Sequence, residues 1–466
     1  MTKTNNILIS GNGCCGTNVS LTNQSITINN ETSKLPVAVI GGGPVGLAAA
    51  AHLAKNRIPF ILLEAGSQIG ANILTWGHVR LFSPWQYNVD KAAKDLLNAN
   101  GWIHPELESL PTGQELVEQY LQPLAMVPEI NPFVHLNTKV LSIGRKDIDK
   151  MKTANRESVP FIIHTESNTE YKTFEAKAKA VIDATGTWGN PNPAASSGIW
   201  LTEEKSLKEK IFYGIPDIPG KEQQRYANKR IAVVGGGHSA INVLLDLAKL
   251  KESYPETEIL WIMRRQRVED AYGGEEKDAL EARGLLGSRI HNLVDNQQVK
   301  VITPFRIQLV KKLEKGIELI GSQNGKQRSI DGIDEMIVNT GSRPDFSIIN
   351  ELRTSIDSAT ESVEALAPLI DPKIHSCGTV RPHGEKELRQ PEKDFYIVGA
   401  KSYGRAPTFL MATGYEQVRS VVAYLSGDLA AAEKVELDLP ETGVCSANLN
   451  SKSSSCDEPA SSCCNY

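Results

Sequence analysis

The sequence predicts an α/β protein made of two parallel-sheet units, the second inserted into the first. Two glycine-rich turns carry this prediction. Gly41-Gly42-Gly43-Pro44-Val45-Gly46 follows the apolar run Val37-Ala38-Val39-Ile40, and Gly235-Gly236-Gly237-His238-Ser239-Ala240 follows Ile231-Ala232-Val233-Val234. Each turn stands between a strand-like and a helix-like run, the setting in which the pattern acquires meaning. A third observation is a pair of apolar strands that end in Thr-Gly, Val181 to Gly186 and Met336 to Gly341. Together they describe two Rossmann-like dinucleotide-binding domains.

The spacing of small residues has a physical reason at both turns. Gly41 and Gly235 permit the tight strand-to-helix turn. Gly43 and Gly237 let the backbone approach a pyrophosphate, and Gly46 and Ala240 let the helix pack on the strand. Pro44 and Val45, like His238 and Ser239, open helices whose free N–H groups and dipole favour an anion. The first turn leads to the strand Pro59 to Leu63, which ends in Glu64, eighteen residues past Gly46. A carboxylate there accepts hydrogen bonds from ribose hydroxyls. The second turn leads to Glu258 to Met263, which ends in Arg264-Arg265 with no acid at that point. Two guanidiniums suit a 2′-phosphate, so the second site is expected to take NADPH rather than NADH.

The remaining elements follow in order. Residues 1–34 are polar and are expected to form an extension without fixed structure. Residues 35–195 and 342–436 form the first domain, and 205–341 the inserted one. Asn72 to Tyr87 reads as an ordered loop and Gln114 to Leu124 as a helix. Val134 to Ile143, Phe161 to Thr165 and Glu175 to Asp183 alternate like strands. Pro191 and Pro193 form a hinge before the insertion. A third glycine strand, Phe395 to Gly399, precedes Lys401 to Phe409, and Tyr415 to Leu425 closes the body as a helix. From residue 437 the chain becomes a Ser-, Asn- and Cys-rich tail expected to lack fixed structure.

Bulk properties exclude several classes. A chain of 466 residues has room for two or three domains, and a net charge of −5 argues against a nucleic-acid partner. No apolar run is long enough to span a bilayer, and the N-terminal segment lacks a signal-peptide pattern, so a cytoplasmic protein without membrane partners is expected. The seven cysteines are Cys14, Cys15, Cys377, Cys445, Cys456, Cys463 and Cys464. One in the body and six in the tails is not a disulfide framework.

With its two turns, Glu64, two Thr-Gly strands and insertion order, the chain resembles the two-dinucleotide flavoproteins of the glutathione-reductase-like superfamily. Within that group it resembles the flavin-containing monooxygenases. The body lacks the Cys pair of the disulfide reductases, and the last glycine strand ends Gly399-Ala400-Lys401 without their usual Asp. Trp76 to Trp85, His375 to Val380, Lys401 to Pro407 and Glu441 to Cys445 resemble the monooxygenase-like flavoproteins of bacterial arsenic-resistance operons. The chain departs from the broader monooxygenase pattern between Tyr213 and Tyr226, where the signature F-x-G-x-x-x-H-S is missing.

The resemblance implies FAD and NADPH as cofactors. Hydride passes from NADPH to FAD, which then activates O2 as a C4a-(hydro)peroxyflavin and oxygenates a soft nucleophile such as As(III) or an organoarsenical. It assigns FAD to Gly41, Gly43, Pro44, Val45, Gly46, Glu64, Ala65, Trp76, Arg80, Val140, Thr185, Gly186, Gly399 and Lys401. It assigns NADPH to Gly235, Gly237, His238, Ser239, Ala240, Arg264, Arg265, Thr340 and Gly341. Arg80, Ser83, Tyr403 and Arg405 are the catalytic candidates, with Asn88 a weaker one, and Lys401 or Arg405 would face negative charge on the flavin or on a phosphate. His375, Cys377 and His383 lack regular metal-ligand spacing and read as loop packing. Thiolates are soft ligands, so Cys456, Cys463 and Cys464, with Cys445, are candidate As(III) or soft-metal ligands. Two alternatives remain: an NADPH–FAD reductase of a thiol or soft metal acting through these cysteines, and a metalloid-binding protein. Proteins of this fold are often homodimers, but the residues themselves set no oligomeric state.

Overall fold

The computed structural model describes residues 35–167, 173–277, 281–371, 383–407 and 409–437. The N-terminal extension, the tail beyond residue 437, His375 and all seven cysteines, including Cys456, Cys463 and Cys464, lie outside the described residues.

Two parallel sheets organise the chain. The first takes β1 (Val37–Ile40), β2 (Phe60–Leu63), β3 (Val134–His135), β7 (Ala180–Asp183) and β16 (Phe395–Ile397), in the order β16-β7-β1-β2-β3. The second takes β8 (Ile211–Tyr213), β9 (Arg230–Val234), β10 (Glu258–Ile262), β11 (Lys300–Ile302) and β15 (Glu335–Val338), in the order β11-β10-β9-β15-β8. Every pairing within both sheets is parallel. Each unit carries a three-stranded antiparallel sheet before its Thr-Gly strand. These are β4 (Thr138–Arg145), β5 (Phe161–Ser167) and β6 (Thr173–Ala178), then β12 (Arg306–Lys312), β13 (Ile317–Gln323) and β14 (Lys326–Ile333). The two units therefore repeat one topology. β7-β1-β2-β3 corresponds to β15-β9-β10-β11, with one further strand added beside β7 and beside β15.

Strands covered on both faces read as unbroken apolar runs. Val37 to Ile40 and Ile231 to Val234 are buried throughout. The helix Pro44–Lys55 follows β1, and its four consecutive alanines, Ala48 to Ala51, are fully buried. Such small side chains let it lie close to the strands and to the helix Met411–Ser426. A buried ion cluster fastens the antiparallel sheet to the start of β16. Glu392 accepts from Arg145 Nε at 2.7 Å and from Arg156 Nη2 at 2.8 Å.

The structure differs from the sequence reading at several elements. Val134 to Ile143 is two strands rather than one, because the chain turns at Asn137 (φ 53°) and passes from the parallel to the antiparallel sheet. Glu175 to Asp183 likewise divides at Lys179 into β6 and β7. The Gln114 to Leu124 helix is real but extends over Gly113 to Met126 with a π turn at Val117–Leu121. The helices Lys91–Ala99 and Glu281–Asp295 and the sheet β12-β13-β14 were not anticipated. Among the described residues no helix is long and apolar enough to cross a membrane.

Candidate functional site: two glycine turns and the cleft at the second

Both turns are shaped by the strand that ends in Thr-Gly. Gly41 has φ +102°, and a Cβ on it would lie 2.8 Å from Ala184 O, at the end of β7. Gly235 has φ +136°, and a Cβ would lie 2.3 Å from Asn339 O, at the end of β15. Only glycine meets both demands. A Cβ on Gly46 would sit 1.9 Å from Gly41 O, whereas Gly43 and Gly237 have nothing within 4 Å of that position. The crowded glycines thus hold the turn, and the open ones leave room for a phosphate to approach the backbone.

The helices that begin at the turns, Pro44–Lys55 and His238–Ser253, have no side-chain cap on their N-terminal N–H groups. The helix Lys91–Ala99 is capped, with Asp90 Oδ1 accepting from Ala93 N at 2.9 Å, whereas Met411–Ser426 is uncapped like the two turn helices. An uncapped helix start whose N-cap residue, Gly43 or Gly237, lacks a Cβ fits a pyrophosphate. Glu64 completes the first site. Its Oε2 accepts from Gly42 N at 2.5 Å and its Oε1 from Gly66 N at 2.7 Å. A carboxylate has about four acceptor positions, so two remain for hydroxyl donors. Ala65 is exposed beside it, and Val140 is buried in β4, whose first residue donates from Thr138 N to Glu64 O. These residues fit FAD.

Several candidates are placed differently from the sequence expectation. Lys401 is directed at the carboxylate of Asp183. It is 1% exposed, and its ammonium donates to Asp183 Oδ2 at 2.7 Å and to Thr185 Oγ1 at 3.0 Å. A buried ammonium needs such a partner, and Asp183 supplies it. Tyr403 is 1% exposed, its ring against His383 and Phe409 in the core rather than on an open face. Arg80 turns outward, donating to Leu110 O with Glu115 3.9 Å away. Ser83 and Asn88 bond each other: Ser83 Oγ donates to Asn88 Oδ1 at 2.8 Å, and Tyr415 OH donates to Asn88 O. Trp76 packs on Gly113 and lies 6.0 Å from the Trp188 ring.

Thr185 donates to Asp183 from both N and Oγ1, and Gly186 follows it at φ +68°. Gly399 (φ +68°) packs over Val45 of the first turn. Gln417, missed in the sequence, organises this end. Fully buried, it accepts from Gly399 N at 2.7 Å and donates to Ser402 Oγ at 2.9 Å, with His383 Nε2 also 2.9 Å away. An isolated Gln on a helix carries no sequence signal of such a role.

At the second turn a cavity of about 850 Å³ brings together Gly235, Gly237, His238, Ser239, Arg264, Arg265, Thr340 and Gly341. Ala240 is buried behind them against the sheet. The first unit contributes Phe82, Trp188 and Arg405 to the same cavity. Arg264 and Arg265 stand exposed at the end of β10, with Arg265 donating to Asp270 O. This donor set fits NADPH, with two cations for the 2′-phosphate and an uncapped helix start for the pyrophosphate. Phe82 and Trp188 were not singled out from the sequence. Among the described residues there is no group of three or more His, Cys, Asp or Glu able to hold a metal ion.

Residues 38–379 match the family model described as pyridine nucleotide-disulphide oxidoreductase. A ferredoxin–NADP reductase of Shouchella clausii is 23% identical over 386 residues, covering 82% of this chain and 90% of that protein. One of Pediococcus pentosaceus is 26% identical, covering 66% and 74%. Among solved structures, the bacillithiol disulfide reductase Bdr of Bacillus cereus superposes with a TM-score of 0.62 at 18% identity, over 84% of this chain and 99% of that one. The cadaverine monooxygenase DfoA of Erwinia amylovora, solved bound to FAD, gives 0.59 at 14% identity, over 90% and 100%. The chain belongs to the pyridine nucleotide-disulphide oxidoreductase family and is an FAD- and NADPH-dependent oxidoreductase.

Proposed function

We propose that the chain is a monooxygenase-type flavoenzyme, with FAD on residues 35–195 and 342–436 and NADPH on 205–341. What supports this reading is the sequence: residues 35–436 carry no cysteine pair, Cys377 being the single cysteine there. A reductase that passes electrons from flavin to a dithiol needs a thiol pair within reach of the flavin. FAD bound there would supply hydride acceptance from NADPH and activation of O2, one oxygen atom going to a soft, electron-rich acceptor and the other leaving as water. The protein's own part is alignment and a shaped, water-poor site. Gly43 and Gly237 admit the two pyrophosphates, Glu64 holds a ribose, and Arg264 and Arg265 hold the 2′-phosphate. The Lys401–Asp183 pair fixes the strand end beside the first turn.

The substrate class we propose is a soft nucleophile, with trivalent arsenicals the first to test. The strings Trp76 to Trp85 and Lys401 to Pro407, which resemble arsenic-operon flavoproteins, support that choice. The tail cysteines Cys456, Cys463 and Cys464 would hold the metalloid as thiolate ligands. The test is rapid mixing of NADPH-reduced protein with O2 while flavin absorbance is followed, with and without an arsenical. A transient absorbance distinct from both oxidised and reduced flavin, with oxygenated product formed in step with NADPH use, is expected. Direct reoxidation with one H2O2 formed per NADPH oxidised, in the presence of every arsenical, would reject the reading. Reduction of a disulfide or metal ion that stops on removal of residues 437–466 would install the reductase in its place.

A further inference from the structure

The segment from Trp76 to Ser83 belongs to the first unit by its backbone. Gly113 N donates to Val79 O at 2.9 Å, Leu81 N to Pro111 O at 2.8 Å and Gln114 N to Gly77 O at 2.9 Å. Two of its side chains, Val79 and Phe82, reach the second unit, while Trp76 and Leu81 pack on the core of the first. Val79 packs against the second unit's hydrophobic core. The Phe82 ring lies 5.5 Å from the His238 imidazole, tilted by 49°, and the Arg283 guanidinium lies 6.0 Å from the same ring. Nearby, Trp188 Nε1 donates to Thr75 Oγ1 at 2.8 Å, and its ring would touch a Cβ on Gly214 at 3.3 Å. The segment is thus braced on both units.

His238 is the first residue of the uncapped helix, and Phe82 lines the same cavity as Arg264, Arg265 and Arg405. A dinucleotide with its 2′-phosphate on the two arginines and its pyrophosphate on the Gly237–Ser239 N–H groups has its nicotinamide half still to place. Among the first-unit side chains lining the cavity, Phe82 is the one in ring contact with the glycine turn. It offers that half a flat apolar wall that adds no charge. We infer that Phe82 is a positioning residue for the nicotinamide half of NADPH, setting its approach to the flavin. This rests on the assignment of NADPH to the second turn. Hydride transfer carries two electrons and one proton from NADPH, which leaves as NADP⁺, to the flavin. Its rate depends steeply on donor placement, so a misfit of about 1 Å costs on the order of a hundredfold.

The experiment uses the FAD-loaded full-length chain and the variants Phe82→Ala, Phe82→Leu and Phe82→Tyr. Anaerobic flavin reduction is followed across NADPH concentrations, and NADP⁺ affinity is titrated separately. Phe82→Ala is expected to lower the limiting reduction rate by about ten- to a hundredfold while NADP⁺ affinity changes by less than about threefold. Phe82→Tyr is expected to restore most of the rate. An unchanged limiting rate in Phe82→Ala overturns the inference, as does an equal loss in Phe82→Ala and Phe82→Tyr. If Phe82→Ala fails to retain FAD, Phe82→Leu is read by the same criteria. The underlying assignment fails separately: wild-type reduction by NADPH that Arg264→Ala and Arg265→Ala both leave unchanged would overturn the site, whatever Phe82 does.

Discussion

The Lys401 ammonium lies 2.7 Å from Asp183 Oδ2, with the two side chains 1% and 0% exposed. The pair joins the end of β7 to the turn that follows β16, beside the first glycine turn. Asp183 Oδ1 is used as well, accepting from Thr185 N at 3.1 Å and Thr185 Oγ1 at 2.7 Å. Removing one member leaves a buried charge without its counter-charge, which costs about 3–5 kcal/mol. Lys401→Met is therefore expected to lower the denaturant midpoint sharply and to loosen FAD. The double variant Lys401→Met, Asp183→Asn is expected to recover part of the loss. Denaturant melts with flavin fluorescence as a second signal would check this. If Lys401→Met melts like wild type and keeps FAD, the pair does not hold the site.

The two turns predict opposite responses to a methyl group. Gly46→Ala would place a Cβ where the structure puts Gly41 O 1.9 Å away, so it is expected to open the turn and abolish FAD retention. At the corresponding place the second turn already carries a methyl, in Ala240. Ala240→Gly is expected to leave NADPH binding intact, at a helix-propensity cost of about 1 kcal/mol. The flavin-to-protein absorbance ratio and the KM for NADPH report the two results. Yellow, flavin-replete Gly46→Ala protein would contradict the packing argument.

Much of this arrangement was legible because local chemistry and global fold demand the same residues. β1 and β9 were readable as short apolar runs, and the turns were readable because glycine has few substitutes there. Glu64 and Arg264-Arg265 were readable from their place at strand ends. Where the reading failed, the deciding contact was distant in sequence. Lys401 has the ordinary look of a surface cation until Asp183, far upstream, comes beside it. Tyr403 and Gln417 owe their roles to a core that no local pattern describes. Phe82 lies inside a string quoted for its resemblance, yet its partner His238 is in the other unit. The β13–β14 hairpin does carry a local signal. Asn324-Gly325 separates β13 from β14 with φ of 50° and 78°, and Asn-Gly between alternating runs is a strong hairpin signal.

The cation pair at the end of β10 makes a prediction about cofactor choice. Charge-assisted hydrogen bonds to a phosphate contribute roughly 1.5–3 kcal/mol each, equivalent to about ten- to a hundredfold in affinity. Arg264→Ala and Arg265→Ala are each expected to raise the KM for NADPH by about that factor. NADH, which lacks the 2′-phosphate, should be nearly unaffected, so the preference for NADPH collapses. Steady-state oxidation of both cofactors by each variant measures it. An equal loss with NADH would place the arginines against the pyrophosphate or the fold instead.

Asp246, in the helix that opens at the second turn, makes a prediction about pH. Burial pushes its carboxyl up to about 6 from an ordinary 3.8, against the pull of Arg289 and Lys249, while Asp217 pushes the same way as burial. The folded state therefore holds this proton more tightly than the unfolded chain does. Between pH 3.8 and about 6 the folded state binds more protons, so this group's contribution to stability falls as pH rises through that window. Above it, the ionised carboxylate is a standing cost. Asp246→Asn is expected to match wild type near pH 4 and to be more stable by about 1–2 kcal/mol at pH 7.5, a discounted share of the full shift. Denaturant melts of both proteins at intervals from pH 4 to pH 8 would follow the difference as it opens. A constant offset across that range would assign the effect to something other than this proton, and a less stable variant at pH 7.5 would mean that Arg289 and Lys249 outweigh burial.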